Sequence, residues 1–64
     1  MKEYRVRYGD TLATLGKKFY GDWRFGMVIY QHNRHYIADP NIIYPGQMLA
    51  LPWIDTENGT AFVG

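Results

Sequence analysis

Tyr20-Gly21-Asp22 stops one helix and starts another with almost nothing between them, and that punctuation leaves few folds open. Glycine readily takes the left-handed conformation that ends a helix. An aspartate carboxylate accepts hydrogen bonds from the free amides of a new first turn. Upstream, Leu12, Leu15 and Phe19 recur at the spacing of one helical stripe, with Asp10 as the predicted N-cap. Downstream, Phe25, Val28, Ile29 and His32 form a second stripe within a helix predicted over Trp23 to His32, which Asn33 closes. Gly16 sits inside the first helix at a cost of up to ~1 kcal/mol relative to alanine. It reads as a point of close approach to the second helix.

Strand patterns flank the helices. Residues 3–8 alternate, with Tyr4, Val6 and Tyr8 on one face and Glu3, Arg5 and Arg7 on the other, until Gly9-Asp10 breaks the run. Arg34 to Pro45 is a loop punctuated by Asp39-Pro40 and Tyr44-Pro45-Gly46. Met48 to Leu51 is a second strand with Leu49 and Leu51 on one face, ended by Pro52. The order strand, helix, helix, strand predicts an α+β domain: a two-stranded antiparallel sheet with both helices packed on one face. An isolated two-stranded sheet is marginal in water, so the helices supply most of the buried area. The domain is expected over residues 1–52, and residues 53–64 form a C-terminal tail, extended or bound to a partner.

Composition narrows the function classes. The chain has 64 residues, enough for one small domain with little room for a deep catalytic cleft. No cysteine is present to staple it. Seven Lys and Arg against six Asp and Glu give a net charge of +1, too weak a field to drive nucleic-acid or membrane binding. Six Tyr, three Phe and two Trp are more rings than so small a core can hide, and exposed rings point to recognition. No paired carboxylates, nucleophile with a base, or phosphate-cradling glycine loop occurs, so no enzyme is expected. His32, His35 and Asp39 lack the converging ligands of a metal site, and no cofactor is expected. Asn58-Gly59-Thr60 matches a glycosylation acceptor but reads as a turn. Trp23 reads as packing on the fold.

The chain resembles a LysM domain of the bacterial and phage type. The resemblance rests on Tyr4-x-Val6, Gly9-Asp10-Thr11-Leu12, Leu15, Tyr20-Gly21, Trp23, Ile29 and Asn33. It ends with Asp39-Pro40-x-x-Ile43-x-Pro45-Gly46-Gln47-x-Leu49-x-Leu51-Pro52, all in order and at family spacing. It departs from the pattern at Gly16 and in the bulky Arg34-His35-Tyr36 segment. The resemblance implies a βααβ fold and a non-catalytic module that binds glycans containing N-acetylglucosamine, such as peptidoglycan. Carried over by position, it implies a groove with Gly9, Asp10, Thr11 and Leu12 on one wall. Pro40, Asn41, Ile42, Ile43 and Tyr44 form the other. Backbone amides of the two loops would pair with the acetamido group, Leu12 and Ile43 would hold its methyl, and Tyr44 would lie against a sugar face.

A second expectation is a small structural adaptor in a phage tail or contractile injection particle, docking on hub or baseplate proteins. Its contact residues would be Trp53, Ile54, Phe62 and Val63, through strand addition to a partner's sheet edge. The chain begins without the apolar run of a signal peptide, which predicts synthesis in the cytoplasm and, under this second expectation, assembly into a particle.

Overall fold

The computed structural model describes residues 2–55 and 60–62. The elements in order are β1 (Lys2–Arg5), α1 (Leu12–Tyr20), a single 3-10 turn (Trp23–Phe25), α2 (Gly26–His32), β2 (Met48–Leu51), β3 (Trp53–Asp55) and β4 (Thr60–Phe62). β1 pairs with β2 antiparallel, with Lys2 opposite Leu51, Glu3 opposite Ala50, Tyr4 opposite Leu49 and Arg5 opposite Met48. The alternation of side chains follows from this register. Tyr4, Leu49 and Leu51 face the helices, while Glu3, Arg5, Met48 and Ala50 share the outer face. β3 and β4 form a separate antiparallel pair in which Trp53 lies opposite Phe62. Among the described residues no helix is long and apolar enough to cross a membrane.

The core is Val6, Leu12, Leu15, Ile29, Ile37, Leu49 and Leu51, ringed by Tyr4, Phe19, Tyr20, Tyr30 and Ile43. Leu15 and Ile29 are fully buried, and burying such a side chain contributes about 2 kcal/mol. The predicted stripe of α1 therefore holds. Ile37 joins the core from the loop, where no periodicity marks it. The Tyr20 hydroxyl donates to the Pro52 carbonyl at 2.7 Å and pins the end of α1 to the end of β2.

The two helices meet at a glycine seam. A β-carbon on Gly16 would clash with the backbone nitrogen of Gly26, and one on Gly26 would come within 2.5 Å of the Leu12 carbonyl oxygen. The close approach predicted at Gly16 is thus a backbone-to-backbone contact. Gly21 caps α1 in the left-handed conformation at φ 82°, its N–H donating to the Lys17 carbonyl.

Four local expectations are corrected. The first strand ends at Arg5, and Tyr8, expected on the buried face, is 93% exposed in the turn that follows. Asp10 does not cap α1. Thr11 does, accepting from the Thr14 amide while the Thr14 hydroxyl accepts from the Thr11 amide. The second helix is split, because Asp22 caps a 3-10 turn and regular helix begins only at Gly26. Trp23, at the start of that turn, is 55% exposed rather than packed away.

Asn33 is more than the stop of α2. It is 2% exposed, the one buried polar side chain among the described residues. Its amide nitrogen donates to the carbonyls of Ile29 and Ala50, and its oxygen accepts from the Ala50 N–H at 2.8 Å. The carboxamide therefore closes the outer edge of β2 as a neighbouring strand would.

Candidate functional site

Two turns frame the predicted groove. In the first, the Asp10 N–H donates to the Arg7 carbonyl, and Gly9 stands at the third position with φ 91°. No other residue of this turn has positive φ, which identifies a type II turn. Its anchor is the Asp10 carboxylate. One of its oxygens accepts from the Arg7 N–H at 2.9 Å and from the Tyr4 hydroxyl at 2.5 Å. The Tyr4 hydroxyl, the Arg7 N–H and nearby cations hold the Asp10 carboxyl below its ordinary pKa. The same bond and the adjacent negative charge push the Tyr4 hydroxyl up. The carboxylate is thereby turned back onto Tyr4 and Arg7, and Thr11 caps α1.

The second turn repeats that backbone. The Gln47 N–H donates to the Tyr44 carbonyl across Pro45-Gly46, and Gly46 has φ 88°. Its anchor is neutral: the Gln47 amide accepts from the Tyr44 N–H and donates to the Tyr36 carbonyl at 2.9 Å. Just upstream, Asp39-Pro40-Asn41-Ile42 is a further turn. There the Ile42 N–H donates to the Asp39 carbonyl, and the Asn41 N–H donates to the Asp39 carboxylate.

Val6 ties the two walls together. Its N–H donates to the Gln47 carbonyl and its carbonyl accepts from the Gly46 N–H, both at 2.8 Å. The Gly9 turn and the Asn41 to Tyr44 segment therefore spring from a common backbone junction. Beside the second wall lies a cleft of about 200 Å³ lined by Tyr36, Asp39, Ile42, Tyr44 and Gln47.

The predicted residues fall into distinct places. Gly9 and Thr11 are exposed, and Asp10 is half-buried by its own hydrogen bonds. Leu12 is only 4% exposed and belongs to the core, so its side chain does not line the surface. Ile43 is half-buried and also packs on the core. Asn41 is exposed and Pro40 half-buried, while Ile42 and Tyr44 are 46% and 66% exposed. The amides of Asn41, Ile42 and Tyr44 are already used internally, so only the Ile43 N–H on that wall has no internal partner among the described residues. Tyr36, 75% exposed, lines the cleft, although the sequence marked it only as part of the bulky Arg34-His35-Tyr36 segment and not as a wall residue. Its N–H donates to the Asn33 carbonyl and its carbonyl accepts from Gln47, eleven residues away.

The proposed tail contacts are partly visible. Trp53 is 53% exposed and flanks a small cleft beside Phe19, Tyr20 and Pro52. Ile54 lies in β3 and Phe62 in β4. Val63 and Asn58 lie outside the described residues.

The described residues thus form a βααβ core with two glycine turns beside it. The chain matches the LysM domain family over residues 4–52, and it belongs to that family. It is 39% identical over 49 residues to the potassium binding protein Kbp of Escherichia coli O6:H1, covering 77% of this chain and 33% of that protein. It is 37% identical over 51 residues to an uncharacterized protein of Deinococcus radiodurans, covering 77% of this chain and 19% of that protein. The chain thus spans a third or less of the length of these relatives. No solved structure matches it.

Proposed function

We propose that this LysM domain binds glycans containing N-acetylglucosamine, of the peptidoglycan type, between the Gly9 turn and the Asn41 to Tyr44 segment. The observation that carries the reading is the Val6 junction, which fixes both walls with two 2.8 Å backbone bonds. A site held this way is formed before the ligand arrives, which lowers the cost of binding. The first wall offers the backbone of Gly9, the Thr11 hydroxyl being engaged in the α1 cap. The second offers the Ile43 N–H to an acetamido oxygen, with Ile42 and the exposed Tyr44 ring as apolar surface for a sugar face. Because Leu12 is in the core, the acetamido methyl is held by the second wall.

No observation favours the particle-adaptor reading, and neither relative is named as a tail or baseplate component. The potassium binding named for the Escherichia coli relative belongs to a protein three times longer than the matched segment.

The test is an NMR titration with N-acetylglucosamine oligomers. The amides of Gly9 to Thr11 and Asn41 to Tyr44 should shift together with a single affinity. If neither group moves at ligand concentrations of about 1 mM, a range that detects even weak sites, the reading is wrong.

A further inference from the structure

We propose that the glycan path continues beyond the loop cleft, across Tyr36, to the open edge of β2, where the backbone of Met48 reads a second acetamido group. The inference rests on the glycan reading above and extends it from one sugar to an oligomer.

The starting point is the register of the sheet. In an antiparallel pair, alternate residues point both backbone polar groups at the partner strand or away from it. Ala50, opposite Glu3, points away from β1. Its N–H and carbonyl are both taken by the Asn33 carboxamide. Met48 stands two residues earlier, opposite Arg5, and has the same orientation. It faces away from the β1 ladder, and no turn, loop or side-chain bond among the described residues takes its N–H or its carbonyl. The edge therefore has two positions of identical geometry, one already filled by an amide and one open.

The open position borders a cleft. Glu3, Tyr36, Met48 and Ala50 line a concavity of about 550 Å³, with Asn33 and Gln47 at its margin. That volume is in the range of ligand sites. Tyr36 and Gln47 line this cleft and the loop cleft alike. The two concavities thus share a wall, and that wall carries a tyrosine ring that is 75% exposed.

The chemistry selects the occupant. A peptide adding to a sheet edge needs a row of open alternate positions. This edge offers one, since Asn33 closes Ala50 and the chain before Met48 turns away through Pro45-Gly46. A single backbone amide pair beside a methyl surface and an exposed ring suits an N-acetyl sugar. Its amide pairs with Met48, its methyl lies on Ala50, and its ring face lies on Tyr36. The Glu3 carboxylate at the rim accepts from a sugar hydroxyl.

The test compares the N-acetylglucosamine monomer with its tetramer on the wild-type chain and on Tyr36→Ala and Tyr36→Phe. The tetramer should move the Met48 amide and the Ala50 methyl in addition to the loop amides, whereas the monomer moves the loop amides alone. Tyr36→Ala should weaken the tetramer about fivefold and silence Met48 while the loop amides still respond. Tyr36→Phe should behave as wild type, because the ring and not the hydroxyl supplies the contact. The Tyr36 ring is exposed and its carbonyl bond to Gln47 survives substitution, so both variants should keep a wild-type amide spectrum. Loop amides that shift with Met48 and Ala50 unmoved would overturn the extension and leave the glycan site standing. Met48 shifts that persist unchanged in Tyr36→Ala would overturn the path across Tyr36. A tetramer that moves no amide at all removes both readings.

Discussion

The helical seam and the loop end of this domain are built by opposite means. At the seam, side chains are removed: Gly16 and Gly26 let two backbones touch. The buried Asn33 then ties α2 to β2 with three hydrogen bonds. At the loop end, polar side chains are added. Asp10, Asp39 and Gln47 each hold a turn by accepting from nearby backbone N–H groups, all in partial contact with water. The seam can change only by breaking, since a packed interior has no slack. The loop end can lose one bond and keep its shape. The binding surface proposed on the loops would thus rest on a frame built by different means, to which the loop itself contributes Ile37.

The largest expected effect is at the seam. Gly16→Ala places a methyl against the backbone of Gly26 and near the Asp22 carbonyl. Backbone cannot move aside as a side chain can, so the cost should be about 3 kcal/mol or more. A chain of this size has roughly 3–10 kcal/mol in total. The variant should be largely unfolded or melt more than about 12 °C lower, as read by circular dichroism. A Gly16→Ala chain within about 1 kcal/mol of wild type would mean the helices are not in backbone contact.

Asn33 comes next. Asn33→Ala leaves the N–H and carbonyl of Ala50 without their partner at a buried site. Each such group costs about 1–3 kcal/mol, so a loss of about 2–4 kcal/mol in denaturant unfolding is expected. Asn33→Asp sharpens the point. A carboxylate can still accept from the Ala50 N–H but cannot donate to the carbonyls of Ile29 and Ala50. It should therefore destabilise more at neutral pH than in acid. An aspartate variant with no pH dependence would show that the donor side of this contact is unimportant.

The seam and the loop end also differed in how far the sequence revealed them. The α1 stripe, the Gly21 cap, the approach at Gly16 and the inward face of Leu49 and Leu51 are local patterns, and all were legible, whereas of the second stripe only Ile29 is buried and Tyr30, outside it, packs on the core. Asn33 was legible as a helix stop, yet its bond to Ala50 spans seventeen residues and no local pattern encodes it. Asp10 and Thr11 are adjacent and both good caps. In the fold the Asp10 carboxylate is turned back onto Tyr4 and Arg7, and Thr11 caps α1. Tyr8 kept the alternation of a strand, but the Gly9 turn had already begun. At the site, the family motif supplied both proposed walls and placed Leu12 among them. Burial, which depends on the whole fold, withdrew that side chain, and long-range contacts brought in Tyr36.

The two turns allow a finer test, because they share a backbone and differ in anchor charge. The folded Asp10 carboxyl has a lowered pKa, through the Tyr4 hydroxyl first and the Arg7 N–H after it. Its contribution is therefore complete above the ordinary carboxylate range, near about 4. It is lost as pH falls through the lower folded value. Tyr4, with its pKa raised, loses the same bond as pH rises through its folded value above about 10. Amide shifts of Tyr8 and Gly9 should thus change in acid while that of Gly46, anchored by neutral Gln47, stays flat. Asp10→Asn should flatten the first turn at a loss of about 1 kcal/mol. Equal acid responses in both turns would mean that global unfolding, not Asp10, sets the profile.

The smallest effect is expected where the shortest ion pair lies. Arg24 and Asp22 approach to 2.7 Å, and the arginine holds the Asp22 carboxyl down at about 2. Yet the Arg24 side chain is 90% exposed, and exposed pairs gain little because water screens them and ordering both side chains costs entropy. Asp22 also accepts from the Arg24 backbone N–H at 2.8 Å, a bond that no substitution of the side chain removes. Arg24→Ala should therefore raise the Asp22 pKa only a little, and by the same linkage leave the melting temperature nearly unchanged. A carboxyl NMR titration beside a thermal melt reads both at once. A melting temperature that falls with the pKa shift would place part of the packed half's stability on its surface, and the division between seam and loops would have to be redrawn there.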